Sequence, residues 1–288
     1  MPSTIVLKRR IGSIRSTRQI TKAMELVSAS KLRRAQQIAL RSRAYQELAY
    51  ELLQRLSVLP EAKTHQLFAA KKIKTRLYVI VTSSSGLAGA YNANVIKDLL
   101  GRLKRDQDEH VTSKVIAIGN KGAQFVRRLK DVKLLAVYQP FGDNPTADDI
   151  RPLLNTVMKV YKDGEVEAIE LIYTSFISTI SQKVVDMLLL PAAAPDADDH
   201  FTTISTFEPD AETVIDQVTT RLIEAQIWQA VLESLASEHA MRMVATRNAT
   251  DNANELIDDY TLALNTARQA AITQELAEIT GGAEALNA

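Results

Sequence analysis

The chain has 288 residues, of which 46% are hydrophobic and 24% charged, and its formal net charge is +1 at pH 7. This composition is ordinary for one or two folded domains, and the absence of cysteine excludes disulfides and thiolate metal sites. The four histidines show no ligand spacing, no apolar run approaches the about 18 residues of a membrane-spanning helix, and the N-terminus lacks the apolar stretch of a signal peptide. We therefore expect a cytosol-facing protein without a metal or a cofactor.

Charge is distributed unevenly along the chain. Residues 1–57 carry twelve basic and three acidic side chains, a net of +9, whereas residues 208–288 carry fourteen acidic and four basic ones, a net of −10. Residues 58–207 are close to neutral, at +2. Opposite charge favours pairing of the two ends with each other, although exposed ion pairs set partner and register more than stability.

The N-terminal segment has the pattern of one long helix. Between Pro2 and Pro60 there is no proline and only one glycine, Gly12. Apolar or small residues recur at steps of three and four, which predicts a helix over residues 3–57, about 80 Å long. The predicted stripe comprises Leu7, Ile11, Ile14, Thr17, Ile20, Met24, Val27, Ala35, Ile38, Tyr45, Ala49, Leu52 and Leu56.

Residues 76–190 alternate short apolar runs with helical patterns, which is typical of an α/β domain with a largely parallel sheet. The predicted strands are Leu77–Thr82, Lys114–Gly119, Lys133–Tyr138, Glu167–Thr174 and Lys183–Leu190, the last two of which can form a hairpin instead. The predicted helices are Ala90–Arg105, Lys121–Lys130 and Thr146–Lys162. Pro191–Asp199 is predicted to be a loop that leaves the domain.

The C-terminal segment has the pattern of a second, longer helix. Pro209 suits a first helical turn, and Gly281–Gly282 are expected to end the helix, which over residues 209–280 would be roughly 108 Å long. Its predicted stripe comprises Val214, Val218, Leu222, Ala225, Leu232, Leu235, Met241, Ala245, Ala249, Leu256, Ala263 and Ala267. Because the α/β segment lies between the two helices, we expect them to run antiparallel, with residue 3 level with about residue 263 and the last ~20 residues projecting alone.

The predicted fold class is therefore α/β, with a long antiparallel two-helix coiled coil formed by the N- and C-terminal segments and an inserted Rossmann-like α/β domain. The predicted domains are 1–60, the N-terminal coiled-coil helix; 61–207, the α/β domain; and 208–288, the C-terminal coiled-coil helix with its projecting tip. An ordinary helix pair in a bundle is disfavoured, because both helices exceed the usual globular length of about 8–20 residues.

Two glycine-containing turns are candidates for phosphate binding. The first, Ser83–Asn92, follows a predicted strand but lacks the third glycine of a dinucleotide fingerprint and the Gly-Lys-Ser/Thr of a P-loop. The second, Gly119–Gly122, is equally short of a match, so tight turns without a ligand are favoured for both. Asp148 and Asp149 are expected to cap a helix. No catalytic constellation can be assembled, which predicts that the chain is not itself an enzyme.

Two other functions stay open on the residues alone. The basic N-terminal helix could bind nucleic acid as part of a basic coiled coil, since clustered Lys and Arg release phosphate counterions. The α/β segment could belong to a nucleotide-binding enzyme. The acidic C-terminal helix, which offers the basic helix an internal partner, weighs against nucleic-acid binding.

Three segments resemble a known family. Ile11–Arg34 resembles the N-terminal helix of the gamma chain of F-type rotary ATP synthases, and Ile20–Glu25 (ITKAME) is its most specific part. Ile272–Ala285 (ITQELAEITGGAEA) is similar to the family's terminal signature, and Ala245–Asn254 fits the preceding helix. The resemblance spans the whole chain in order and identifies a bacterial type.

The resemblance implies a non-catalytic rotor shaft. It implies that the tip turns inside a hexamer of alternating alpha and beta subunits, with nucleotide sites on beta, and that the α/β domain lies against epsilon and the membrane c-ring. Rotation would couple the flow of protons, or alternatively of sodium ions, to ATP synthesis at the cytoplasmic face of the bacterial membrane, without membrane insertion or nucleic-acid binding. By position, Met24 would face the lever region of beta, and Arg268, Gln269 and Thr273 would contact beta loops.

The chain departs from the family pattern after its first strand. The family usually has Asp-Arg before Gly-Leu and Cys-Gly after it, where this chain has Ser84-Ser85 and Ala88-Gly89. The charged residues that would form an ion pair from this turn to neighbouring subunits are therefore missing. Whether Ser84 and Ser85 make a substitute contact is open at the level of sequence.

Overall fold

The computed structural model describes residues 4–57, 60–139, 141–142, 145–192 and 210–287. Its elements in chain order are α1 (Thr4–Ser57), α2 (Pro60–Thr64), β1 (Thr75–Val81), α3 (Tyr91–Asp108), β2 (Thr112–Ile118), α4 (Asn120–Val126), β3 (Lys133–Tyr138), α5 (Ala147–Lys162), β4 (Ala168–Phe176), β5 (Gln182–Leu190) and α6 (Ala211–Asn287). Both long helices and all five predicted strands are present. The short helix α2 escapes prediction because a single turn carries no periodicity. Pro209, loop residues 193–199 and the side chain of Tyr45 lie outside the described part of the chain.

The chain divides into two compact units. One comprises Met1–Val27 and Met243–Ala288 and is called the helical unit; the other comprises Ser28–Arg242 and is called the sheet unit. The predicted domains 1–60, 61–207 and 208–288 group the chain by element type instead, and they stay a prediction.

The sheet has five strands in the order β3-β2-β1-β4-β5. The first four are parallel, and β5 returns antiparallel to β4, which confirms the hairpin. Side chains of the central strand β1 alternate between two apolar layers. Leu77, Val79 and Val81 pack in the layer that contains residues of α5 and α6, whereas Tyr78 and Ile80 pack in the layer with α3 and α4. Burial on both faces explains the continuous apolar run of this strand.

A buried carboxylate joins three elements of the sheet unit. Asp106 of α3 is fully buried and accepts hydrogen bonds from Tyr78 Oη at 2.9 Å and from Ser113 Oγ at 2.8 Å, and it forms an ion pair with Arg76. Glu170 Oε1 of β4 lies 3.3 Å from Arg76 Nε and forms a second ion pair with it, so the arginine is shared between two carboxylates. A buried charge is tolerated because it is fully paired.

In the helical unit, small hydroxyl side chains form part of the contact between α1 and α6. Thr21 and Thr250 are only 8% and 7% exposed, and their Oγ1 atoms lie 2.8 Å apart. The predicted stripe is confirmed at Leu7 and Ile11, which are 3% and 6% exposed. It is wrong at Ile20, Val27 and Leu256, which are 61%, 54% and 45% exposed. Short side chains bring the helix axes close, and hydroxyls at these positions can satisfy themselves on backbone carbonyls of their own helix.

The two helices of this unit run antiparallel, as predicted. Arg10 Nη1 donates to Tyr260 Oη at 3.3 Å, and Arg18 Nη1 donates to Asn254 Oδ1 at 3.2 Å. The predicted register placed residue 3 opposite residue 263, whereas these contacts place it about one helical turn further toward the C-terminus of α6. The prediction assumed that the helix ends lie at the same height, but the contacts between side chains fix the register. Both arginines donate to neutral groups, so these two contacts between the helices are hydrogen bonds and not ion pairs.

The prediction that Gly281–Gly282 end the second helix is wrong. Helix α6 continues through both glycines to Asn287. A glycine inside a helix costs only about 1 kcal/mol, and it ends a helix only where the backbone turns to positive φ. Neither of these glycines has a positive φ.

Gly119 and Gly101 provide a matched test of the packing in the sheet unit. Gly119 has a φ of +89°, and a Cβ there would lie 2.0 Å from the carbonyl oxygen of Thr82, whereas a Cβ at Gly101 in α3 meets nothing within 4 Å. We expect Gly119→Ala to lower the unfolding free energy by about 3 kcal/mol or more and Gly101→Ala to raise it by about 0.5–1 kcal/mol. Urea denaturation of the full chain measures both, and equal midpoints for the two variants would contradict the fold.

Buried tyrosines predict alkaline sensitivity of the sheet unit. Burial raises the pKa of Tyr78 and Tyr91 well above the ordinary value of about 10, and burial with the nearby Glu233 raises the pKa of Tyr173 to about 12. Because the unfolded chain ionises first, the stability these groups contribute is complete below about pH 10 and is lost as pH rises through the folded values. The part of the tyrosinate absorbance that belongs to these three buried side chains should therefore appear together with the loss of far-ultraviolet circular dichroism. Ionisation of all eight tyrosines with the fold intact would contradict this.

Candidate functional site

The sheet has one topological switch point, between β1 and β4. Strands β2 and β3 extend the sheet on one side of β1, and β4 and β5 extend it on the other. In open α/β sheets, the crevice outside the carboxyl ends of two such strands is where ligands bind. The serine-rich turn that follows β1 therefore stands where a nucleotide phosphate would be held.

Helix α6 of the same chain makes the contacts at this edge. The backbone N–H of Thr174, near the end of β4, donates to Ser234 Oγ at 3.0 Å, and Ser237 Oγ donates back to the Thr174 carbonyl at 3.1 Å. On the β1 side, Arg242 Nη2 donates to Ser85 Oγ at 2.8 Å, and Nε donates to the Gly86 carbonyl at 3.3 Å. The helix thus binds both strands that flank the switch point.

The turn after β1 uses its own polar groups internally. Ser83 N donates to Asn92 Oδ1 at 2.9 Å, and Asn92 Nδ2 donates to Ser83 Oγ at 2.8 Å. The backbone N–H of Asn120, at the start of α4, donates to Ser84 Oγ at 3.0 Å. Ser84 and Ser85 therefore both make contacts inside the sheet unit. Backbone N–H groups of the kind that cradle a phosphate have side-chain acceptors instead.

The two glycines of the second turn serve close packing. A Cβ at Gly122 would lie 2.7 Å from Thr82 Oγ1, and Gly122 N donates to that oxygen at 3.0 Å. Gly119 has the positive φ and the even closer approach to Thr82 noted above. The glycines allow the start of α4 to approach the end of β1. Separately, Asp149 accepts from Thr146 N at 2.7 Å, which confirms its predicted role as a helix cap.

Arg242 also forms a buried pair on its own helix. Its Nη1 lies 2.7 Å from Glu238 Oε1, and the two side chains are 9% and 11% exposed. Burial raises the pKa of Glu238, and the neighbouring Arg242 opposes that rise. No sequence motif marks Arg242, Ser234 or Ser237. The only local signal is the acid–base spacing of four residues between Glu238 and Arg242, which is common on exposed helices.

The predicted contact residue Met24 is half-buried in α1 of the helical unit. Its neighbours one turn away on the same side, Ile20 and Val27, are among the exposed apolar side chains. Lys22 and Glu25 form an ion pair of 3.0 Å beside it. Ile20, Met24 and Val27 therefore form an apolar strip on α1, which is exposed at Ile20 and Val27 and half-buried at Met24.

The other predicted contact residues, Arg268, Gln269 and Thr273, lie on α6, where every described side chain from residue 268 to 283 is exposed. Thr273 Oγ1 donates to the backbone carbonyl of Gln269 at 2.9 Å. An apolar strip, Ile272, Leu276 and Ile279, runs along this segment, with exposures of 50%, 61% and 69%. Because Thr21 contacts Thr250, Met24 lies roughly 30 Å along α6 from Arg268, and the four residues do not form one site.

Within the described residues, no helix is long and apolar enough to cross a membrane, and no group of three or more His, Asp or Glu could hold a metal ion. The fold and its filled switch point define a class of protein: a subunit built on two long helices, in which one helix binds where an α/β domain would hold its ligand. Two apolar surfaces are suited to protein partners. One is the exposed segment of α6 from residue 268 to 283, called the tip, and the other is the strip on α1 formed by Ile20, Met24 and Val27.

Comparison with known proteins identifies the family. The family model for ATP synthase matches residues 3–286. The chain is 40% identical to the ATP synthase gamma chain of Xylella fastidiosa over 99% of this chain and 100% of that one, and 40% identical to that of Moorella thermoacetica over 97% and 98%. The chain therefore belongs to the ATP synthase gamma chain family and is a subunit of that complex. This confirms the rotor interpretation and gives no support to nucleic-acid binding.

Solved structures show the same fold. A chain of the Euglena gracilis mitochondrial ATP synthase, in an assembly of OSCP, F1 and c-ring, matches with a TM-score of 0.69 and 19% identity, over 98% of this chain and 94% of that one. A chain of the Tetrahymena thermophila central stalk and c-ring matches with a TM-score of 0.65 and 23% identity, over 80% of this chain and 99% of that one. The predicted fold class is confirmed.

The filled switch point predicts that nucleotides do not bind the sheet unit. ATP or NAD at millimolar concentration should leave the melting temperature of the full chain unchanged, because a ligand stabilises a fold only by binding the folded state. Differential scanning fluorimetry with and without Mg²⁺ measures this. A rise in melting temperature that saturates with ATP or NAD would mean that a nucleotide can displace α6 or bind elsewhere.

Proposed function

We propose that this chain is the central rotor shaft of an ATP synthase and that it turns inside a hexamer of alternating alpha and beta subunits. Its rotation couples a transmembrane flow of ions, which we take to be protons, to ATP synthesis. The observation that carries this proposal is the exposed segment of α6 from residue 268 to 283. It presents the apolar strip Ile272, Leu276 and Ile279 to its surroundings. A helix of this kind needs a surrounding partner to bury its apolar side chains, and a sleeve of other subunits supplies one.

The same proposal makes the chain non-catalytic, with the nucleotide sites on the beta subunits. The attachment of α6 at the switch point supports it, since the crevice that would hold a nucleotide carries contacts to Thr174 and Ser85. The sheet unit then lies against the epsilon subunit and the membrane c-ring, at the cytoplasmic face of the bacterial membrane. The association of similar chains with F1 and c-ring assemblies supports this placement.

Four residues receive roles in the proposed contact with beta subunits. Met24 lies half-buried in the apolar strip of α1, beside the exposed Ile20 and Val27, and would face the moving lever region of beta. Arg268, Gln269 and Thr273 lie close together on α6, and all three are exposed, so their polar groups can reach acceptors and donors on beta loops. Directional hydrogen bonds at the tip would distinguish the three beta subunits by rotor angle.

Deletion of residues 264–288 tests the proposal. The deletion removes the tip but leaves Arg10 its contact with Tyr260, so we expect the chain to keep its fold. Loss of three exposed apolar side chains that the hexamer would bury should weaken assembly with alpha and beta by about tenfold or more and lower coupled ATP synthesis. Circular dichroism controls for folding, and unchanged coupled synthesis would count against the rotor.

Point variants at the tip sharpen the test. Arg268→Ala and Gln269→Ala should lower ATP hydrolysis by the assembled complex, because they remove polar contacts to beta without changing the helix length. Gln274→Ala is the matched control, since Gln274 lies on the opposite side of the helix from Ile272 and Ile279 and pairs with Glu278 at 3.0 Å. Equal losses of ATP hydrolysis in the control and the test variants would show that the tip contributes only its volume and not specific polar contacts to beta.

A further inference from the structure

Arg242 is a charged side chain of α6 that contacts the turn after β1. Its guanidinium uses three nitrogens: Nη1 on Glu238 at 2.7 Å, Nη2 on Ser85 Oγ at 2.8 Å and Nε on the Gly86 carbonyl at 3.3 Å. His239 Nδ1 lies 3.5 Å from Nη1. The planar, forked group thus bridges its own helix and the turn, with its side chain only 9% exposed.

This bridge depends on a neutral residue at position 85. A lysine or arginine there would place a second positive charge beside Arg242 and would repel it. Ser85 instead offers a hydroxyl oxygen, which accepts a hydrogen bond from the charged donor. Such charge-assisted bonds are stronger than bonds between neutral groups. Ser85 therefore makes its contact inside this chain.

The turn that Arg242 holds has an unusual backbone. Leu87 has a φ of 60° and is 61% exposed, and Gly89 has a φ of 55°. A leucine in this conformation is strained, so it needs its neighbours to hold it. Ser83 is held by Asn92 at one end of the turn, and Arg242 holds the segment at Ser85 and Gly86.

Directional bonds are what a rotating shaft requires. Apolar packing between α6 and the sheet resists separation but specifies the angle of the helix about its axis only weakly, because it is non-directional. The bonds of Ser234 and Ser237 to Thr174 fix α6 against β4, and Arg242 fixes it against the turn after β1. Two attachment points, one on β4 and one on the turn after β1, resist rotation of the helix against the sheet.

We propose that Arg242 is a positioning residue that locks the turn of residues 83–89 to α6, so that the α/β domain and the shaft helix turn as one body. This rests on the proposed rotor function. Its direct consequence is mechanical: torque that enters through the α/β domain reaches α6 at Thr174 and at Ser85–Gly86. Without the Arg242 contact, the β1 side of the attachment yields first.

The experiment uses two variants that keep the buried Glu238 partnered. Ser85→Ala removes one acceptor and leaves the Glu238–Arg242 pair intact, and Arg242→Lys keeps the positive charge but loses the fork. The matched controls are Ser181→Ala in the exposed β4–β5 turn and Arg247→Lys on an exposed part of α6. Hydrogen exchange is measured on the full chain, and ATP hydrolysis and ATP-driven ion pumping are measured on the complex assembled in membrane vesicles.

We expect both test variants to speed amide exchange in residues 84–89 by about tenfold, with no change in β1, and to lower the ions pumped per ATP hydrolysed while hydrolysis continues. The controls should match the wild type. Equal pumping per ATP in wild type and both variants would overturn the lock and leave the rotor function standing. A uniform rise in exchange across the sheet unit would also overturn it, since that indicates general destabilisation. Failure of the wild-type chain to assemble would overturn the rotor function itself.

Discussion

The hydrogen-bonded attachment of α6 to the carboxyl edge of the sheet is the constraint on which the rest of the sheet unit depends. Thr174 is buried at the end of β4, and its backbone N–H and carbonyl would cost about 1–3 kcal/mol each if left unpaired under a helix. Ser234 and Ser237 satisfy both groups. The helix can therefore lie over the edge where a Rossmann-like sheet otherwise binds its ligand, and the domain becomes a mount for a helix instead of a nucleotide site.

The helical unit follows a second constraint, which concerns the size of the side chains between its helices. Thr21 and Thr250 fill the contact, while the larger Ile20 and Val27 point outward. If the isoleucine and the valine were buried instead, the helix pair would bury more apolar area, which would stabilise it by about 1.5–3 kcal/mol per side chain. The arrangement gives up that stability and leaves apolar surface available to other subunits. The exposed tip of α6 does the same on a larger scale.

Periodicity in the sequence is sufficient for the strands, the longer helices and their order, but not for the single-turn helix α2. Strand β3 occupies Lys133–Tyr138 as predicted, and the long helices emerge because no proline interrupts them. The phase of each helix is harder to predict, because Thr21 looks like a surface residue until the closeness of the helices is known. The prediction that α6 ends at Gly281 is wrong, since the end of a helix depends on the backbone φ and not on residue type alone.

The candidate site residues also differ in how far the sequence alone reveals them. Met24 and Arg268 could be chosen only by resemblance to a family, since neither has a distinctive local pattern. Arg242 could not be found from the sequence, because its partners Ser85 and Gly86 lie more than 150 residues away and the contact exists only once α6 crosses the sheet edge. No local pattern in a single sequence reveals long-range contacts of this kind.

The native mass of the assembly formed by this chain with the alpha and beta subunits of its own organism tests the central claim most directly. The rotor account predicts one copy of the chain per six-subunit ring, with ATP hydrolysis rising when the chain is added. Absence of a complex, or several copies bound to one ring, would contradict it, since only a single asymmetric shaft can place three beta subunits in different states at once.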